Sequence, residues 1–226
     1  MTYHRCSADR EISVFLVLLS LSSAAAYGLI IHIHKEPAML SRLIMWCPGA
    51  AALATCALHR IPRATLGWSW PATRWLVLAY VAPLLYVLPV YSVTWAVIAG
   101  SFAPADFLNA TASQYGFARQ PALATALVGV PLLATMGMVG GLTWALGEEI
   151  GWRGFLLPRL TQRIGFAGAC LGSGLIWAVW HYPALLWADY NAGTDPAYAI
   201  ICFTGSVMAM AFILGWLRLR TGSVWP

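Results

Sequence analysis

Charge is what this 226-residue chain has least of. Only 9% of its residues are Asp, Glu, Lys or Arg, against about 25% in an ordinary soluble domain. Hydrophobic residues make up 60%. That balance excludes a soluble globular domain and marks an integral membrane protein. The net charge of +5 then reports topology, and nucleic acid is not an expected partner. Cysteine is sparse as well. Cys6, Cys47, Cys56, Cys170 and Cys202 are scattered with no CxxC, so no disulfide framework and no metal or other cofactor is expected, and these residues read as small buried hydrophobes. The chain has no GxGxxG or Walker loop, no HExxH pair and no GxSxG elbow, which removes the common nucleotide, zinc-protease and serine-hydrolase signatures. No small-residue cleavage pattern follows the first apolar run, which therefore reads as a retained span. Neither a repeat nor a soluble boundary is visible, so residues 1–226 read as one membrane domain.

What is present is apolar helix. A span needs about 20 mainly apolar residues, and six segments qualify: Ile12–Ile33, Leu40–Leu58, Trp75–Ala99, Pro121–Leu146, Ile164–Trp187 and Tyr198–Leu217. The expected fold is an all-α polytopic bundle of about six spans. Polar residues His34, Lys35 and Glu36 mark the first loop, and Asp189, Asn191, Gly193 and Asp195 the fifth. Ser101–Gln120 reads as a loop with an interfacial turn. Arg5, Arg10, Arg60, Arg63, Arg74, Arg153, Arg159, Arg163, Arg218 and Arg220 fall on the even-numbered sides, ten of the thirteen Lys and Arg. The excess of positive charge on the inner side then implies a cytoplasmic N-terminus and a cytoplasmic end at Pro226; the expected location is a bacterial plasma membrane. The twelve Trp residues read mainly as packing groups and interface anchors.

One stretch breaks the apolar pattern: Gly147-Glu148-Glu149-Ile150-Gly151-Trp152-Arg153-Gly154. No charged residue precedes it from Pro121 to Leu146. Charges at membrane depth are costly and usually face a bundle interior or a water cavity. On a helix, Glu149 and Arg153 are i and i+4 in the acid-first order, which favours a held pair. Glu148 points about 100° away and stays free for chemistry. The other isolated polar group is His181, the one histidine well inside an apolar span; His4, His32, His34 and His59 sit at span ends. Glu148 and His181 lie 33 residues apart, with their midpoint at Ile164–Gly165, where a turn is expected. In an antiparallel hairpin, residues equidistant from the turn lie level. The pair can hold a water, the glutamate taking its proton while the histidine orients it and later donates. A partly dehydrated carboxyl suits a base of this kind.

A helix running on from Pro121 would carry Glu148 about 40 Å along, beyond a ~30 Å core. Three arrangements remain open: a start outside the membrane, a break at Gly140-Gly141, or a site near the cytoplasmic surface. Simpler readings also stand. Glu149–Arg153 can be a helix-end ion pair, and His181 a helix–helix hydrogen-bonding residue.

At these residues the chain resembles the CAAX prenyl protease and bacteriocin-processing (ABI) family of intramembrane glutamic endopeptidases. Glu148-Glu149-Ile150-Gly151-Trp152-Arg153 resembles the family's EExxxR motif. Trp177 and His181 resemble its second motif, with Trp where Phe is commoner. Leu217 to Pro226 resembles the lead-in to its third. The resemblance covers about Trp144 to Pro226. It implies a metal-independent endopeptidase in which Glu148 activates water with His181, while Glu149 and Arg153 support the site. The implied partners are the lipid bilayer and a membrane-associated peptide or protein substrate, met from the cytoplasmic side. In the family a later helix adds a His and an Asn four residues apart that stabilise the oxyanion. No HxxxN follows His181, so the resemblance implies a C-terminally incomplete domain lacking the last helices, and leaves catalysis by this chain alone doubtful. Three other functions fit the same residues. They are a non-catalytic immunity or scaffold protein, a small proton- or cation-coupled transporter, and a metal hydrolase, which would lack a clear third protein ligand.

Overall fold

A computed structural model describes residues 2–33, 38–102, 105–116, 125–188, 190 and 193–226. Among them every regular element is helical. Helix α1 is Thr2–Ile33, α2 Ala38–Leu58, α3 Thr73–Val97 and α4 Ala105–Tyr115. Wide π turns at Thr125–Gly129 and Leu133–Gly137 lead into α5, Met138–Glu149. A π-helical segment, Ile150–Leu156, joins α5 to α6, Leu157–Trp187, and the last helix, α7, is Pro196–Thr221. The polar loop at 34–37, residues 117–124 with Arg119, and Asp189 and Asn191 lie outside the described residues.

Among the described residues four helical stretches are long and apolar enough to cross a membrane: Ala8–His32, Thr73–Val97, Leu127–Trp187 and Pro196–Thr221, with Arg42–Leu58 shorter. The 61-residue stretch would extend about 90 Å as straight helix, some three times the ~30 Å apolar core, so it makes more than one pass. It is broken at Gly165, whose φ of 72° and ψ of 177° no helix contains. That φ is one that residues with a Cβ rarely adopt. Within the stretch that follows Trp144 the chain thus folds into a hairpin whose turn is at Gly165, where the turn was expected, and whose limbs are joined by the Glu148–Trp177 hydrogen bond.

Three expectations are corrected. The fourth span does not end at Leu146, because helical backbone continues through the charged stretch. Arg153 is not a loop charge: it is buried, with 4% of its side chain exposed, against Glu149. Pairing removes the electrostatic reason for the helix to stop there. The second correction is α4, which occupies part of the expected loop between 101 and 120. Asp106 in its first turn suits the helix dipole, and Thr111 bonds back to the carbonyl of Phe107 at 2.8 Å. The third is that Gly140 and Gly141 lie inside α5 and do not break it.

The chain forms two compact units, Met1–Leu76 with Trp144–Pro226, and Val77–Thr143. In the second, the Tyr80 hydroxyl donates to the carbonyl of Ala134 at 3.1 Å. The first unit holds the charged stretch. Its core is an aromatic column. Phe15 of α1 stacks on Phe155 at 5.0 Å and meets Trp152 edge-on, Trp152 meets Trp180, and Trp180 meets Tyr27. The column is tied by hydrogen bonds from Tyr27 Oη to the carbonyl of Trp180 at 3.0 Å and from Trp180 Nε1 to Ser23 Oγ at 2.7 Å. The hydroxyls of Tyr27 and Ser23 and the indole N–H of Trp180 are thus matched, as an apolar interior requires.

One end of this unit is stapled by charge. Arg159 pairs with Glu11 at 2.8 Å, and Arg163 pairs with Asp9. On the same unit, the turn at Arg63–Leu66 packs on the π segment, and Arg218 donates to the carbonyls of Arg153 and Thr65 at 3.1 and 3.3 Å. The tail then pairs with the turn through Val224 N to the carbonyl of Gly67 at 2.9 Å, and Trp225 Nε1 to that of Trp68 at 3.0 Å.

Candidate functional site

Glycines bring the charged stretch against α2. Gly147 and Gly151 are four apart, a spacing that lets two helix backbones approach closely. A Cβ at Gly147 would lie 2.5 Å from the carbonyl oxygen of Met45, one at Gly49 would lie 2.7 Å from that of Gly147, and one at Gly151 would strike Pro48. The π segment continues this approach, with a Cβ at Gly154 falling 2.9 Å from the carbonyl of Leu66. The wide turn closes with an i to i−5 hydrogen bond from Leu157 N to Trp152 O. Single π turns inside helices are frequent at functional sites.

Glu148 lies inside the bundle, where it is 5% exposed. Two indole N–H groups converge on one of its oxygens. Trp177 Nε1 donates to Oε2 at 2.6 Å and Trp152 Nε1 donates to the same atom at 3.2 Å. Among the described residues Oε1 accepts no hydrogen bond. Trp152 lies one helical turn beyond Glu148 in the chain, and Trp177 comes from the other limb of the hairpin.

Glu149 is turned elsewhere. Arg153 Nε donates to its Oε2 at 2.7 Å, and Nη2 lies 2.5 Å from Oε1 as an ion pair without directed hydrogen-bond geometry. The Glu149–Arg153 pairing expected from the i, i+4 spacing is therefore present. The Arg153 guanidinium also rests 4.2 Å from the centre of the Trp177 ring, a cation–π contact strengthened by burial.

His181 lies one turn after Trp177 on α6. Its Nδ1 is 3.1 Å from the carbonyl oxygen of Trp177. A carbonyl only accepts, so this bond puts the proton of the neutral ring on Nδ1 and leaves Nε2 as an acceptor. The ring is enclosed by Trp180 at 4.6 Å, Phe203 at 4.9 Å and Tyr190 at 6.2 Å between centroids.

Glu148 and His181 line one cavity of about 460 Å³, with Trp144, Trp177, Tyr190 and Phe203 among its other walls. That is within the roughly 300–1,000 Å³ range of ligand pockets, which are mostly apolar with a few placed polar groups. The hairpin thus brings together two of the four residues singled out in the sequence. Glu149 and Arg153 are not among the cavity walls. Among the described residues no three His, Cys, Asp or Glu side chains gather as a metal site would require.

The sequence reading missed three groups. Trp152 and Trp177 are hydrogen-bond donors to Glu148, beyond their packing. Arg218, counted as a topological charge, is buried and holds the backbone of Arg153. The i, i+4 spacing of Glu148 and Trp152 was a usable signal for the first. Nothing local marks the other two.

Comparison with known proteins agrees with the motifs. Residues 129–226 match the family described as type II CAAX prenyl endopeptidase Rce1-like. A curated relative, CAAX prenyl protease 2 of Methanococcus maripaludis, is 28% identical over 76 residues, which are 32% of this chain and 28% of that protein. The chain therefore matches little more than a quarter of that relative's length. No solved structure matches. The family match contains both the EExxxR stretch and the Trp177–His181 pair, so the resemblance read from those residues holds.

Proposed function

We propose that this chain, Rce1-like over residues 129–226, serves an intramembrane endopeptidase of the glutamic type. The observation that carries the reading is the shared cavity of Glu148 and His181. Glu148 Oε1 and His181 Nε2 are both acceptors, and a water molecule has two hydrogens to donate. One water held between them would present its lone pairs to a third group, the carbonyl carbon of a peptide bond. As the water oxygen bonds to that carbon, Glu148 takes a proton. The C–N bond then breaks, and Glu148 returns the proton to the leaving nitrogen. General-base assistance of this kind contributes about 10²–10⁴-fold in rate. The Glu149–Arg153 pair supports the site by packing a fixed cation under Trp177.

The relative's name suggests the first substrate to try, a farnesylated peptide ending in a CAAX sequence. The protein in liposomes is incubated with it in H₂¹⁸O, and the products are weighed by mass spectrometry. The expected result is one internal cut with ¹⁸O in the new carboxyl, unchanged after chelation. An intact peptide together with pH-dependent ion flux would replace this reading with transport.

A further inference from the structure

Trp177 meets three of the four residues singled out in the site. Its indole N–H reaches Glu148 Oε2 at 2.6 Å, its carbonyl receives His181 Nδ1 at 3.1 Å, and its ring carries Arg153 at 4.2 Å. The ring contact and the backbone contact would survive in any aromatic residue. The hydrogen bond would not, because a phenyl ring has no N–H.

A carboxylate has two equivalent oxygens and free rotation about its last bond. A base that must present one oxygen to a water loses effectiveness when it turns. Here Oε2 is fixed from two directions, by Trp177 on one limb of the hairpin and Trp152 on the other. Hydrogen bonds to a charged acceptor are the strong kind, and two of them on one oxygen fix the plane of the group. The remaining oxygen is the one left for the cavity.

We propose that Trp177, aided by Trp152, is a positioning residue that clamps Oε2 of Glu148 through its indole N–H, so that Oε1 faces the bound water. The inference rests on the endopeptidase reading above and adds a residue to it. The indole N–H acts on the orientation of the base, and Trp177→Phe keeps the ring that lines the cavity, so its effect falls on turnover.

The test is Trp177→Phe, which keeps the ring and removes only the donor, with Trp152→Phe and the double variant beside it. The expected result for Trp177→Phe is a kcat lowered about tenfold or more, the scale set by losing a hydrogen bond to a charged group, with KM within twofold of the parent. Trp152→Phe, the longer bond, loses less, and the double variant loses most. Parent-like kcat in Trp177→Phe overturns the proposal. A second readout does not depend on cleavage. In ¹⁵N-labelled protein in nanodiscs, the Trp177 and Trp152 indole resonances, assigned by the Phe variants, move when Glu148→Gln removes the charge. Unmoved resonances overturn the clamp even if the Phe variants are slow. The two readings fail separately. A parent that cleaves nothing counts against the endopeptidase while the resonances still decide the clamp. A parent that cleaves, with Trp177→Phe equally fast, counts against the clamp alone.

Discussion

At the scale of single residues, the two adjacent glutamates have different surroundings because one has a cation one turn away and the other has indoles. Glu149 faces Arg153, and the pair is largely buried, with 20% and 4% of the side chains exposed. Removing one partner of a buried pair leaves an uncompensated charge. Arg153→Met is expected to destabilise the protein by about 3–5 kcal/mol, and the double variant Glu149→Gln/Arg153→Met to recover much of that. Thermal unfolding in detergent checks both. Equal loss in the single and double variants would show that Arg153 matters through Trp177 rather than through the pair. This division was legible in the sequence, since i, i+4 spacing is a local property of helix. The indole donors were not, because an apolar residue with one N–H looks like packing until its partner in space is known.

At the scale of elements, the hairpin was legible and its seam was not. Counting residues outward from Ile164–Gly165 placed Glu148 level with His181, and the chain does turn at Gly165. That arithmetic works because helical rise is nearly constant. The end of the fourth span was misplaced, since a hydropathy boundary cannot see that Arg153 neutralises Glu149 within the helix. The π segment was also beyond a pattern that assumes 3.6 residues per turn. The close seam between α2 and the charged stretch depends on Gly147 and Gly151. Gly147→Ala or Gly151→Ala puts a methyl into backbone or Pro48, and such overpacking costs about 1–3 kcal/mol. Gly140→Ala, which meets nothing within 4 Å, should be neutral or stabilising by up to about 1 kcal/mol. The midpoints of thermal unfolding of the three variants should separate accordingly; three equal midpoints would mean that the seam relaxes freely.

At the scale of the whole molecule, the unit formed by Met1–Leu76 and Trp144–Pro226 joins the start of α1, the turn after α2, the start of α6 and the end of α7 at one end. The ion pairs Glu11–Arg159 and Asp9–Arg163 and the bonds of Arg218 and Trp225 make that end continuous. The alternation of basic loops had implied the same grouping, because an even number of crossings separates these segments. Single cysteines at Ser69 and Gln162, both exposed, are expected to react with an impermeant thiol reagent from one face only, the cytoplasmic one, in a background with all five native cysteines replaced. Labelling from opposite faces would break the grouping. Arg218 illustrates what charge counting cannot reach. It counts toward topology as Arg220 does, yet it is buried against the backbone of the charged stretch while Arg220 is exposed.

The central claim is that Glu148 and His181 act on one water. Its most direct measurement is the single-turnover rate of peptide cleavage by Glu148→Gln and His181→Ala in liposomes, compared with the parent at equal folded protein. The expected result is a loss of about 10²–10⁴-fold in each variant, with the double variant no slower than the worse single one, because the two groups serve the same molecule. Cleavage by either variant at the parent rate would contradict the claim.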